Sequence, residues 1–200
     1  YVPRKYLDLY PLEDVVLPEP NPDDLADVPV PGRKLALRKS GDVARHRETG
    51  KWRTAVQHYL ASITFADAHI GRILDALRKN GQIDNTIIVF TADHGDLCGE
   101  HGRLNKGVPY EGSARVPFLF YCPGKIPAGT VVNQALSCVD FVPTLFALTG
   151  DKPPKGVEGR DASALFRGSK TKWDDIAFIR STSGVKPWLA AVTDRYKPIY

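Results

Sequence analysis

The sequence contains no methionine, and Tyr1-Val2-Pro3 opens no signal-peptide pattern, so the chain is expected to be an internal or processed piece of a longer protein. Cysteine is scarce. Cys98, Cys122 and Cys138 form no CxxC pair and cannot all pair with one another, which excludes a zinc ribbon and a disulfide-dense scaffold. No apolar run approaches the roughly 18 residues of a membrane-spanning helix, so no span is expected. A dominant charge sign is missing too. The 27 basic and 23 acidic residues leave +4, with no dominant basic helix and no aromatic-interleaved basic strand set, and nucleic acid is not an expected partner. No internal repeat is found. What is present is a globular composition, 42% hydrophobic and 25% charged over 200 residues, enough for one ordinary domain with a sizeable core.

Residues 1–31 hold seven of the 16 prolines and six acids between Glu13 and Asp27. Proline removes amide donors and restricts the residue before it, so extended surface chain is expected there. A basic stretch follows, with Arg33, Lys34, Arg38, Lys39, Arg45, Arg47, Lys51 and Arg53. It reads as a solvated loop, or as a rim that draws in an anionic substrate. From Trp52 to Lys79, apolar residues recur at three- and four-residue steps (Val56, Leu60, Ile63, Ile70, Leu74, Leu77), which predicts a helix stopped by Asn80-Gly81. Thr86-Ile87-Ile88-Val89-Phe90 and Val116-Pro117-Phe118-Leu119-Phe120-Tyr121 read as strands, the first as apolar as a strand buried on both faces of a parallel sheet. Asp140–Thr149 reads as a short helix with Pro143 in its first turn and Gly150 behind it. Residues 176–180, 188–193 and 196–200 read as short strands of an antiparallel meander. Helix, strand, loop, strand, helix is the order of an open α/β sheet.

The densest chemistry lies in Thr91-Ala92-Asp93-His94-Gly95-Asp96-Leu97-Cys98-Gly99-Glu100-His101-Gly102-Arg103-Leu104-Asn105-Lys106-Gly107, directly after the most apolar strand. Ligands of open α/β sheets bind beyond the carboxyl ends of the strands. A carboxylate beside an imidazole can share a metal ion, and an ammonium can neutralise an anion bound to that ion. The same residues also fit a turn stabilised by Asp93 and an ordinary surface lysine.

The order Thr-x-Asp-His-Gly, then Gly-Glu-His-Gly, then a lysine twelve residues after the histidine resembles the sulfatase branch of the alkaline phosphatase superfamily. The resemblance covers most of the chain. It extends to Tyr59–Leu74, Asp84–Phe90, Ser113–Pro117 and Asp140–Leu145, while Leu9-Tyr10-Pro11-Leu12-Glu13 is similar to a segment of iduronate-2-sulfatase-like members. It implies an α/β fold: the C-terminal portion of an alkaline-phosphatase-like α/β/α sandwich (residues 1–170), followed by the start of a small antiparallel C-terminal sheet (171–200). It implies sulfate-ester hydrolysis, with Asp93 and His94 as metal ligands, usually for calcium, with manganese or zinc compatible with the imidazole. Lys106 corresponds to the lysine that binds the sulfate and steadies the leaving oxygen. His101, in the loop between them, is assigned to the substrate side or to ordering the loop. His46, His58 and His69 match no site position. The Leu104-Asn105 pair departs from the aromatic or small residue common before that lysine.

One family element is absent. No cysteine or serine here opens a Cys/Ser-x-Pro-x-Arg motif, the source of the formylglycine nucleophile. That group and further metal ligands are expected in an N-terminal part of the same protein, and the 200 residues alone are expected to be inactive. A sulfated small molecule or carbohydrate is the expected substrate, and export to the periplasm, outside the cell or to a lysosome is the expected location. Rival readings are a phosphodiesterase or phosphonate monoester hydrolase of the same superfamily, and a non-catalytic anion-binding homologue.

Overall fold

The computed structural model describes residues 1–19, 21, 23–37, 43–181 and 187–199. Its first elements are the helices α1 (Arg4–Leu7), α2 (Val30–Ala36), α3 (Val43–Glu48) and α4 (Trp52–Lys79), and the strand β1 (Ile88–Thr91). The short strands β2 (Leu97–Cys98) and β3 (Leu104–Asn105), helix α5 (Glu111–Ala114) and strand β4 (Phe118–Tyr121) follow. Helices α6 (Phe141–Thr149) and α7 (Ser163–Phe166) and strands β5 (Ala177–Ser181) and β6 (Trp188–Val192) complete the series. The chain divides into two compact units, residues 1–83 with 94–115 and residues 84–93 with 116–200.

The first unit is organised along α4, whose limits are those its periodicity predicts. Its C-terminus closes with Gly81 at φ +64°, Gly81 N–H bonded to Arg78 O and Gln82 N–H to Leu77 O, a turn that glycine adopts without steric cost. Trp52, Val56, Val15 and Val43 form the buried cluster, with Tyr10, Leu60, Cys98 and Leu104 packed against it. Along the apolar stripe Val56 is buried, Leu60, Ile70, Leu74 and Leu77 are half-buried, and Ile63 is 52% exposed.

The proline-rich segment is less extended than its composition suggests. Pro3, Pro11 and Pro29 each stand at the N-cap of a helical turn, where a fixed φ is pre-organised and a missing N–H costs nothing. The segment is then tied to α4. Tyr6 meets Phe65 edge-on at 5.2 Å, Tyr10 Oη lies 2.6 Å from Thr64 Oγ1, and Gln57 Nε2 donates to Tyr10 O at 2.7 Å. The basic stretch is likewise corrected from a loop to two helices, α2 and α3, because Leu35, Ala36 and Val43 give each a side to bury. Arg38 and Lys39 lie outside the described residues.

In the second unit the expected parallel pairing is replaced by an antiparallel one. β1 pairs with β4 in the register Ile88↔Tyr121, Val89↔Phe120, Phe90↔Leu119 and Thr91↔Phe118. The excursion 92–117 turns the chain back on itself, and the sheet is covered on one face only. Phe118 and Phe120 face Phe166, with Phe120 and Phe166 rings 4.6 Å apart, in a cluster with Ala162 and Leu165. The opposite face carries Phe90 (42% exposed), Leu119 (61%) and Tyr121 (46%). Among the described residues β1 thus has β4 as its neighbouring strand, and its unbroken apolar run supplies both faces of the pair.

A 3₁₀ turn, Cys138–Asp140, opens with a capping box in which Ser137 and Asp140 exchange side-chain and backbone bonds and leads into α6, which ends at Gly150 in the left-handed conformation. Asp140, 1% exposed, also accepts the Arg160 N–H at 2.8 Å. Arg160 stacks over Trp173 at 4.0 Å and donates to Asp174 O and Ile176 O, which fastens the approach to β5. β5 and β6 form an antiparallel hairpin, and Ile199 bridges to Ala190, in line with the meander.

Candidate functional site

Residues 92–107 leave β1 and fold into a small hairpin, β2 with β3, in the register Leu97↔Asn105 and Cys98↔Leu104. Close backbone approach explains its glycines. A Cβ at Gly95 would collide with Gly112 O, and one at Gly99, where φ is +150°, would stand 2.7 Å from Trp52 Cζ2. Trp52 Nε1 donates to Cys98 O at 2.9 Å, so α4 holds the first hairpin strand directly.

His94 is half-buried, and its Nδ1 lies 3.0 Å from Gly95 O. A carbonyl oxygen only accepts, so in the neutral ring Nδ1 carries the proton and Nε2 holds the lone pair, the tautomer of a metal ligand. Asp93 precedes it as an exposed carboxylate. Its negative charge is felt at Cys138, where burial first and Asp93 second push the thiol pKa up. These donors fit a divalent cation in type. Among the described residues no three His, Cys, Asp or Glu side chains converge on a metal position, so the pair can supply only part of a coordination shell.

At the hairpin tip, Glu100–Gly102 form one 3₁₀ turn in which His101 has φ +53°. Asp24 Oδ2 accepts the His101 backbone N–H at 3.0 Å and lies 2.8 Å from Nδ1, an ion-pair approach in which the ring N–H is off the hydrogen-bond line. The His101 ring lies against Tyr110 at 4.0 Å, and Tyr110 Oη donates to Gly32 O at 3.0 Å. Buried Arg103 sends Nη1 to Ala36 O at 2.7 Å. Thus α2 is fixed to both sides of the segment bearing Lys106.

Lys106 is exposed. Asn105, at φ +86°, turns its Oδ1 onto the Lys106 N–H at 2.9 Å, and Ser113 Oγ accepts the Gly107 N–H at 3.1 Å. Ser113 O accepts the Gly95 N–H at 2.9 Å. A surface cavity of about 440 Å³ beside Leu17, Val56 and Tyr59 is lined by Asp96, Cys98 and Glu100, a negative wall unsuited to an anion. Burial, then Glu100 and Asp96, push the Cys98 thiol up to about 11.

Asp24 and Tyr110 carry no signal in the sequence, and Arg103 and Ser113, though inside segments singled out there, are marked for no role. Asp24 is one of six acids in a proline-rich run, and the others are of common surface types joined to the loop only by folding.

A family model described as Sulfatase matches residues 21–151. An arylsulfatase of Clostridium perfringens is 37% identical over 86% of this chain and 36% of its own length. An N-acetylglucosamine-6-O-sulfatase of Bacteroides thetaiotaomicron is 35% identical over 64% of the chain and 23% of its own length, and an extracellular sulfatase SULF-1 homologue of Drosophila melanogaster 35% over 62% and 11%. The chain therefore spans about a third of the relatives' length or less. Among solved structures, BT4656 in complex with its substrate D-glucosamine-2-N,6-O-disulfate superposes with a TM-score of 0.70 at 29% identity, over 78% of this chain and 35% of that one. A phosphonate monoester hydrolase of Agrobacterium radiobacter gives 0.66 at 28%, over 75% and 33%.

Proposed function

Because the chain belongs to the sulfatase family, we propose that it is part of an enzyme that hydrolyses sulfate esters, with a sulfated carbohydrate as the substrate class. The loop 92–107 carries this reading. It presents a ligand-tautomer imidazole and an exposed ammonium on a backbone fixed by Trp52, Asp24, Asn105 and Ser113, with the Asp93 carboxylate next to the imidazole in sequence. The carbohydrate substrate is supported by the N-acetylglucosamine-6-O-sulfatase and by the glucosamine disulfate bound to BT4656.

Asp93 and His94 hold a divalent cation in this reading, calcium foremost and manganese or zinc by virtue of the imidazole. When bound, the ion supplies positive charge that polarises the sulfate group. Lys106 binds the sulfate as an ammonium and stabilises charge that grows on the leaving oxygen, which is worth more in the transition state than in the ground state. His101 is bound up with Asp24 and Tyr110 and acts on the substrate side by keeping the loop in place. The nucleophile is formylglycine, supplied outside these 200 residues, since no Cys/Ser-x-Pro-x-Arg occurs within them.

An N-terminal part of the same protein is the partner, and the uncovered Phe90–Leu119–Tyr121 face supports its packing here. Residues 1–170 are read as catalytic-domain chain and 171–200, with the β5–β6 hairpin, as the start of a small C-terminal subdomain. Among the described residues no helix is long and apolar enough to cross a membrane. Export is supported by the extracellular relative.

The test is turnover by the full-length, metal-loaded protein of an aryl sulfate against an aryl phosphonate monoester. Sulfate preference is expected. Asp93→Ala should lose bound metal, measured by elemental analysis, and Lys106→Ala should lower kcat by roughly 10²-fold. Phosphonate preference would move the assignment to the hydrolase of which Agrobacterium radiobacter provides an example, and no turnover of either would make the protein a non-catalytic homologue.

A further inference from the structure

Ser113 stands at the point where the candidate loop begins and ends. Its carbonyl accepts the N–H of Gly95, the residue after His94, and its hydroxyl accepts the N–H of Gly107, the residue after Lys106. The serine is 5% exposed and sits in α5, where its own N–H is bonded to Tyr110 O at 3.0 Å. Tyr110 in turn reaches α2 through Gly32 O. One buried residue thus ties the backbone beside the imidazole to the backbone beside the ammonium, and both are referred to a fixed helix.

The second amide of Lys106 is held as well. Its own N–H goes to Asn105 Oδ1, so the peptide groups on both sides of the Lys106 Cα are fixed. For an exposed lysine this is unusual care of the backbone. An ammonium on four rotatable bonds already carries much rotamer entropy. Freedom in its backbone would add to the cost of aiming it, whereas a fixed Cα leaves only the side chain to be ordered.

We propose that Ser113 is the positioning residue for Lys106: its hydroxyl and carbonyl set the place of the ammonium relative to His94, and it touches no substrate itself. The inference rests on the reading of Lys106 as the sulfate-binding group. Ser113→Ala is the direct probe. Alanine suits a helical position, keeps the carbonyl that receives Gly95, and removes only the acceptor for Gly107.

The experiment uses the full-length, metal-loaded protein with an aryl sulfate, and compares wild type, Ser113→Ala, Lys106→Ala and the double variant. Ser113→Ala should lower kcat at least roughly tenfold, since a misplacement of ~1 Å at a catalytic group can cost 10²-fold. In the Lys106→Ala background the same substitution should change kcat by less than about twofold, because there is no ammonium left to place. Asn105→Gly, which keeps the left-handed backbone and frees the other amide, should behave in the same way and serves if Ser113→Ala does not fold. An equal loss of kcat in both backgrounds would show that Ser113 acts through general stability, and unchanged kcat in Ser113→Ala would show that it positions nothing; either overturns the inference. Unchanged kcat in Lys106→Ala would instead remove the functional reading on which it rests.

Discussion

Cys98 illustrates how a reactive group is kept quiet beside a charged loop. Burial, Glu100 and Asp96 all disfavour its thiolate and push the pKa up to about 11 from an ordinary value of 9.0. The thiol stays protonated as pH rises through 9, and at pH 8 the thiolate fraction falls by roughly 10² relative to an unperturbed cysteine. Iodoacetamide should therefore label Cys98 far more slowly in the native protein than in urea at pH 8, as followed by peptide mass spectrometry; equal rates would remove the claimed environment. At this scale the sequence is readable for the charged groups of the loop themselves, because Asp93, His94 and Lys106 stand in a recognisable order after an apolar strand. It is silent on Asp24 and Tyr110 and on the role of Ser113. Their contributions are single hydrogen bonds to backbone, made across long separations in the chain, and no local pattern encodes such a bond.

Elements whose ends are written in local chemistry were legible to within a residue. Helix α4 runs Trp52–Lys79 because periodic apolar positions start it and Asn80-Gly81 turns it off. Helix α6 follows the same logic between Asp140 and Gly150. β1 was legible as a strand and not in its pairing, because a run of Ile88, Val89 and Phe90 says nothing of the direction of its neighbour. The β2–β3 hairpin escaped notice, since two residues per strand give no alternation to read. Its dependence on α4 is testable at Gly99. A methyl there meets Trp52 and an unfavourable φ together, so Gly99→Ala should cost about 1–3 kcal/mol in urea unfolding. Gly102→Ala, at φ +68° with open space around it, should cost about 1 kcal/mol from the left-handed backbone alone, and less than Gly99→Ala. Equal losses at the two sites would mean that the Trp52 contact is not made.

For the molecule as a whole, two observations bear on whether residues 1–200 work by themselves. No metal-binding trio exists among the described residues, and no formylglycine motif exists in the sequence. Electrostatic groups stabilise charge but do not replace a covalent nucleophile. The purified 200-residue chain, assayed with an aryl sulfate and calcium, is expected to show no turnover above its Lys106→Ala control. Turnover above that control would place the nucleophile within this sequence and overturn the family mechanism for it. The exposed Phe90–Leu119–Tyr121 face gives the same preparation a second expected property, association in solution through apolar surface, which light scattering would register.

Trp52 has a use of its own. Its indole is buried, donates to Cys98 O, lies against Gly99 and carries the Arg47 guanidinium at 4.5 Å over the ring. Emission from an indole depends on what surrounds it, so any displacement of the hairpin that admits water to this ring will shift its fluorescence to the red. Trp173 and Trp188 belong to the other unit. With those two replaced by phenylalanine, Trp52 is the indole left in these 200 residues, and its emission becomes an optical gauge of the loop that needs no label.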